Sequence, residues 1–262
     1  MRIISLIVAV VGLVSLCSAQ EIEKIHVNVS QTLEEMSSLN WTVRQKALLE
    51  MPDLGELTKQ DPAEADRLRL GLIHLLITEN EEKHANTRVG TWPGERSEYY
   101  ASLIETVSDL NDVRAVPALL GAITTGGMAT RGLARFGDQI VDPVLQLLSS
   151  PDPRTRASAL SAIRNLFRLR QPVSANSYAR IEVALSMALK DPEGSVRSAA
   201  ISAIEFLTTR DKFVPALRQL SANDPATMQT GHGLFYTVRH DASELLDNIA
   251  HHVPPAYAQG TQ

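Results

Sequence analysis

Cysteine is almost absent from this chain: Cys17 is the only one, and it lies at the end of the N-terminal apolar run. A chain that loses that run keeps no thiol, which excludes disulfides, thiol catalysis and cysteine-ligated zinc. Aromatic residues make up 5% of the sequence against 44% hydrophobic residues, many of them Leu and Ala. That balance suits packed helices better than a β-sandwich. A positive surplus is missing too, since the formal net charge is −5. An acidic total with few aromatics to stack on bases speaks against nucleic acid as a partner. No HExxH, GxSxG or CxxC occurs, and neither GxxxxGK[ST] nor GxGxxG surrounds Gly126-Gly127. The zinc-peptidase, nucleophile-elbow, dithiol and phosphate-loop readings therefore fall away, and no catalytic residue or cofactor is assigned.

No apolar run reaches the ~20 residues that a spanning helix needs. The nearest is Ile3–Leu16. With Arg2 before it and the small residues Cys17-Ser18-Ala19 after it, this run has the order of an export signal cleaved before Gln20. The expectation is a signal peptide over 1–19 and a mature chain that is periplasmic or secreted, without stable membrane insertion. The alternatives are a retained N-terminal anchor, or lipidation at Cys17, which Leu16 disfavours by standing where a small residue is expected.

What the chain does contain is repetition. Arg-x-x-Ala recurs as Arg131–Ala134, Arg156–Ala159, Arg197–Ala200 and Arg239–Ala242, with a fainter copy at Arg44–Ala47. From Arg131 the arginines stand 25, 41 and 42 residues apart, periods that point to a helical repeat array. Thr155, Ala159, Ala162 and Leu166 align with Val196, Ala200, Ala203 and Leu207, then with Val238, Ala242, Leu245 and Ile249. Each set follows i, i+4, i+7, i+11 and forms one stripe of a helix. A second unit places Pro near a helix start, at Val116-Pro117, Asp142-Pro143 and Val214-Pro215, where its missing N–H costs nothing. A third, Asp152-Pro153 and Asp191-Pro192, supplies an N-cap ahead of the arginine helix.

Taken together, these units resemble HEAT repeats, in particular the short type named after phycobilisome lyases; PDPRTRASALSAI at 151–163 is close to that type's DPxxRxxAxxAL. The resemblance covers Leu103–Ala250 well and Asn40–Leu54 weakly. It implies an all-α solenoid of stacked antiparallel helix pairs. It also implies a structural ladder involving Asp152, Arg156, Asp191 and Arg197, and a concave side lined by the second helix of each pair. It does not carry the lyase activity, for which no signature is present.

Ile25, Val27 and Val29 alternate with polar residues, so 20–30 reads as a short strand or an extended N-terminal arm. Asn28-Val29-Ser30 and Asn40-Trp41-Thr42 match glycosylation sequons. One solenoid domain is expected over 31–252, with helices near Gln31–Leu39, Trp41–Met51, Pro62–Thr78, Met128–Phe136, Asn176–Leu189, Gly194–Leu207, Lys212–Leu220 and Phe235–His251. A disordered tail is expected over 253–262. Two stretches, 80–97 and 223–234, break the rhythm and read as irregular loops, which are commonly functional or mobile. Trp92, the one large apolar residue of the first loop, either packs on the first helices or contacts a partner.

Charge is unevenly spread. From Gln20 to Leu110 there are 17 acidic and 9 basic residues, whereas from Arg131 to Arg170 seven arginines face three aspartates. On the helix after Asp152, Leu160, Ile163 and Phe167 form the apolar stripe. Arg154, Ser158, Ser161, Asn165 and Arg168 fall on another face, and Arg135 extends that face onto the preceding helix. The candidate partner-binding residues are thus Arg135, Arg154, Arg168 and Trp92, toward an acidic protein or peptide segment. A weaker candidate for metal is the stripe His240, Glu244, Asp247 and His251. It spreads over ~16 Å of helix, and a terminal repeat needs a polar outer face in any case, so no metal is assigned. The resulting expectation is a non-catalytic, exported protein-binding scaffold. The alternatives are an accessory or hydrolytic enzyme with its site at the two irregular loops, and a structural envelope component.

Overall fold

The computed structural model describes residues 28–85, 94–230 and 233–253. The expected signal segment 1–19, most of the arm 20–30, Trp92, His232 and the tail after Val253 lie outside the described residues. The fold is all-α apart from one short hairpin, and it divides between Leu110 and Asn111 into two compact units.

The first unit contains α1 (residues 28–36), α2 (Trp41–Leu49), α3 (Leu54–Gln60), α4 (Pro62–Ala85) and α5 (Gly94–Asp109). Each start has a local cause. The Asn40 side chain accepts the N–H of Thr42 at 3.0 Å, Asp53 accepts that of Glu56 at 2.7 Å, and Asp61 accepts that of Ala63 at 3.0 Å. These are N-caps that satisfy otherwise orphaned donors. Leu68, Leu72 and Leu76 of α4 and Leu103, Ile104 and Val107 of α5 are fully buried. At the same depth, the Glu79 carboxylate joins Arg44 of α2 to Arg96 of α5, and both guanidinium groups lie over Trp41, at 4.3 and 4.8 Å from its ring centre. The fainter Arg-x-x-Ala copy at Arg44 is therefore a structural element of this unit's core.

Two expectations are corrected here, and one helix is added. Residues 28–30 are helical and not part of an extended arm, because Val29 is buried on the α1 face. A helix unforeseen from periodicity, α3, occupies 54–60; at two turns it is too short to show an apolar period. The stretch 80–97 is not one irregular loop, since α4 continues to Ala85 and α5 begins at Gly94. Asn80, buried, accepts a 2.5 Å hydrogen bond from the Tyr100 hydroxyl and ties α4 to α5 within that stretch.

The second unit is a helical repeat in two layers. Its pairs are α6 (Val116–Gly121) with α7 (Gly126–Ala134), α8 (Val141–Leu147) with α9 (Pro153–Arg168), α10 (Ala175–Ala188) with α11 (Gly194–Ile204), and α12 (Val214–Asn223) with α13 (Thr237–Ala250). The second members stack in a row, α7 on α9, α9 on α11 and α11 on α13, while α8 packs on α10 in the first layer. Three first-layer helices are entered through a 3-10 turn, at Val113–Ala115, Gly137–Ile140 and Arg210–Phe213, with the unit's Pro just beyond it. Ala159, Ala162, Ala200, Ala203 and Ala242 are buried in the second layer, where small side chains let helices come close. α9 stops because Arg170 turns left-handed, at φ 54°, and the Gln171 N–H reaches back to the Leu166 carbonyl at 3.0 Å, a Schellman closure.

Between α12 and α13, part of the stretch 223–234 is regular: β1 (Met228–Thr230) pairs antiparallel with β2 (Gly233–Phe235), Gln229 opposite Leu234. The last helix accordingly begins at Thr237, two residues later than the apolar pattern suggests.

A guanidinium–carboxylate ladder fastens the repeats. Arg156 on α9 makes a two-pronged bond to Asp191, 2.8 Å in each arm, and also donates to the Ser150 carbonyl at 2.9 Å. Arg197 on α11 repeats this one step on, with 2.6 and 2.7 Å bonds to Asp224 and further bonds to the Asp191 and Pro192 carbonyls. Arg239 on α13 donates to the Asp224 carbonyl at 2.7 Å. Arg156 and Arg197 thus reach the Asp-Pro of the following repeat, while Arg239, in the last pair, holds the Asp-Pro of its own. Asp224-Pro225 is the third copy of that unit, concealed in the sequence by the polar segment around it. Asp152 has a local role, capping α9 through the Arg154 N–H at 3.1 Å.

Candidate partner-binding groove

The open face of the second layer carries a depression of roughly 540 Å³ lined by Gly127 and Arg131 of α7, by Arg164, Asn165 and Arg168 of α9, and by Ser202, Glu205 and Phe206 at the end of α11. A smaller one, roughly 100 Å³, continues from Ser202 and Glu205 to Asp241, Glu244 and Asn248 of α13. Helical spacing explains the lining. Ala159, Leu160, Ala162, Ile163 and Leu166 take the buried faces of α9, which leaves Arg164 and Arg168, one turn apart, at the open side. Ser202 and Glu205 follow from the burial of Ile201, Ala203 and Ile204 on α11 in the same way.

Charge reverses along this groove. At the α7–α9 end stand three arginines. Arg168 is exposed and donates to the Asn165 side chain at 3.2 Å. Arg164 is half-buried, and its Nε is shielded from solvent with no hydrogen-bond acceptor among the described residues. Arg131 is exposed and, among the described residues, has no carboxylate partner. At the α13 end stand Asp241 and Glu244. Glu205 lies between: burial first, and then the Glu244 charge, raise its carboxyl above the ordinary range, against the pull of Arg210 and Arg164.

The arginines expected from sequence are only partly brought together. Arg168 is in the groove. Arg154 is not: it sits at the start of α9, bound to its own cap Asp152 at 3.3 Å, ~21 Å along the helix from Arg168. Arg135 is the C-cap of α7 and is exposed, outside the lining. Asn165, expected on the open face with them, is buried and donates to the Thr130 hydroxyl at 3.1 Å, which bonds α9 to α7. Trp92 lies outside the described residues.

Arg131 and Arg164 were not legible as site residues. Arg131 shares Arg-x-x-Ala with the ladder arginines, but its 25-residue spacing to Arg156 marks a different register. It sits in the last turn of α7 and lines the groove. A signal for Arg164 did exist: Arg164 and Arg168 form an i, i+4 pair of like charge, which disfavours a helix unless something else requires it. On α13, His240 and Glu244 approach to 3.8 Å on the surface, while His251 bonds the Asp247 carbonyl of its own helix at 2.8 Å. No group of three His, Cys, Asp or Glu among the described residues lies close enough to hold a metal ion. No described helix is long and apolar enough to cross a membrane.

Against known families, the armadillo/beta-catenin-like repeat matches residues 137–168. That segment is one complete pair: the 3-10 turn, α8 and α9. It is a helical repeat. The sequence resemblance to HEAT repeats and this match agree on that and no further. Among solved structures, computationally designed armadillo repeat proteins for modular peptide recognition superpose with a TM-score of 0.44 at 16% identity, over 83% of this chain and 98% of theirs. An engineered protein superposes with a TM-score of 0.41 at 16% identity, over 86% and 97%. A comparison with curated proteins found no match.

Proposed function

We propose that this chain is a non-catalytic scaffold that binds another protein by holding a segment of it along the second-layer groove of α7, α9, α11 and α13. The observation that carries the reading is the open groove itself, with Arg131, Arg164 and Arg168 gathered along one end of it. A row of repeated helices presents an extended surface, which suits a polypeptide better than a compact metabolite. The match at 137–168 to a repeat of the armadillo type is consistent with this use.

A photo-crosslinking amino acid placed at Ser202, in the groove, should give a discrete partner adduct. The same group at Met187, exposed on α10 in the first layer, should not. Adducts from Met187 with none from Ser202 would put the binding surface elsewhere. We further propose that the protein is exported to the periplasm or the exterior and meets its partner there, on the strength of the charge–apolar–small-residue order of 1–19. Intact mass from the native host should then show Gln20 as the N-terminus, and retention of Met1 would reject cleavage.

A further inference from the structure

The groove is not merely charged; it reverses sign within the span of a short peptide. We infer that the bound segment is itself charge-polarised, with an acidic side chain seated among Arg131, Arg164 and Arg168 and a basic one opposite Asp241 and Glu244. This deepens the groove reading above and rests on it.

Three features lead there. The first is the arginine cluster. Guanidinium groups from two neighbouring helices, those of Arg131, Arg164 and Arg168, converge on one depression. A planar donor fork is matched best by a carboxylate, which accepts two bonds side by side. The second is the opposite end. Asp241 and Glu244 line the continuation of the groove; among the described residues their one ion-pair contact is the His240 ring, 3.8 Å from Glu244. A Lys or Arg of the partner is the complement. The third is the middle. Glu205 and Ser202 line both depressions and make them continuous, so one segment can occupy both.

The sign reversal also decides against a uniform polyanion. A nucleic acid or a run of acidic residues attracted to the arginines would meet Glu205, Asp241 and Glu244 within two helices, and like charges facing each other across an interface are unfavourable. The spacing follows from packing. Neighbouring helices lie about 8–10 Å apart, so α9 to α13 is roughly 16–20 Å by that rule. An extended chain advances ~3.3 Å per residue. Acid and base should therefore stand about five or six residues apart in the partner, in whichever chain direction it lies.

The test is selection of a random phage-displayed library of peptides of about twelve residues, long enough to cover that span, against the immobilised full-length protein. Enriched peptides should carry Asp or Glu and Lys or Arg at the stated separation. A synthetic representative should bind at least about tenfold more weakly to R131E/R168E, and likewise to D241K/E244K, as expected when one partner of an interfacial charge pair is reversed. Both variants should keep the parent's thermal melt, because their sites are on the open face. The protein carrying all four changes should enrich peptides with the charges exchanged. Peptides that are blocked by Ser202→Trp but carry acid alone, or no charge pattern, would overturn the polarity and leave the groove reading standing. Peptides indifferent to Ser202→Trp, or no enrichment over bare support, would overturn both.

Discussion

At the scale of single residues, arginine has three separate duties in this chain. In the first unit Arg44 and Arg96 share the buried Glu79 and stack on Trp41. In the second, Arg156 and Arg197 bind Asp191 and Asp224, while Arg131, Arg164 and Arg168 face the groove. What separates ladder from groove is the partner. Arg197 and Asp224 expose only 8% and 2% of their side chains, so removal of one leaves a buried charge behind. Arg197→Ala should cost about 3–5 kcal/mol by urea unfolding. Arg197→Lys should cost part of that, because an ammonium cannot replace the two-pronged bond. The pair also sets a pH dependence. Burial alone would raise the Asp224 carboxyl, but hydrogen bonds from Arg197 and the Ala226 N–H, with the charges of Arg197 and Arg239, outweigh it and hold it below its ordinary value of 3.8. Asp191 is lowered on the same pattern. A depressed carboxyl contributes stability that is fully present above the unfolded value and is lost as pH falls through the folded one. Unfolding of the parent should therefore steepen below about pH 4, and Asp224→Asn should be less stable at neutral pH but flatter across that acid range. Parallel curves for the two proteins would remove Asp224 from the account.

At the scale of elements, what was legible in the sequence is what periodicity encodes. The stripes ending in Leu166, Leu207 and Ile249 placed α9, α11 and α13 within a few residues, and the Pro units marked α6, α8 and α12. Three kinds of feature escaped. Elements too short for a period did so: α3 with seven residues, and the three-residue strands of the hairpin. Polar residues serving as core did so as well. Asn165, Thr130 and Asn80 look like surface in a hydrophobicity pattern, yet Asn165 bonds Thr130 and Asn80 bonds Tyr100 in the interior. A buried amide is stable only when such a partner comes from another element, and which element that is depends on the fold. The third kind is angular. Arg154 and Arg168 share a helical face on paper, but four turns of α9 separate them, and only Arg168 reaches the place where α7, α9 and α11 leave a depression. The order of charges that makes the groove reverse sign was present in the chain, since Glu205 and Glu244 follow the arginines one and two repeats on. The groove's lining was not legible, because it depends on which turn of each helix lies beside which.

At the scale of the whole molecule, the division at Leu110 separates two bodies of different design. The first is built on the long leucine-faced α4 and held by its own buried Arg–Glu–Arg network with Trp41. The second is a serial stack in which each pair touches its neighbours and the ladder arginines Arg156 and Arg197 reach one repeat forward. In such a stack, stability is approximately a sum of repeat and nearest-neighbour terms, so the unit contains the means of its own folding. Its buried set runs from Ala115 and Leu119 at one end to Val238, Ala242 and Leu245 at the other, without a gap at any pair. The fragment Asn111–Gln262 should therefore be helical by circular dichroism and melt cooperatively when made alone. Arg197→Ala should lower its melting temperature as it lowers that of the full chain, since every partner of Arg197 lies inside the fragment. The groove residues all lie inside it too, so the fragment should also retain the peptide selected on the full-length protein. A fragment that is unfolded in isolation would show that the stack needs residues before Asn111 to start it. A folded fragment that fails to hold the peptide would show that the first unit contributes to binding.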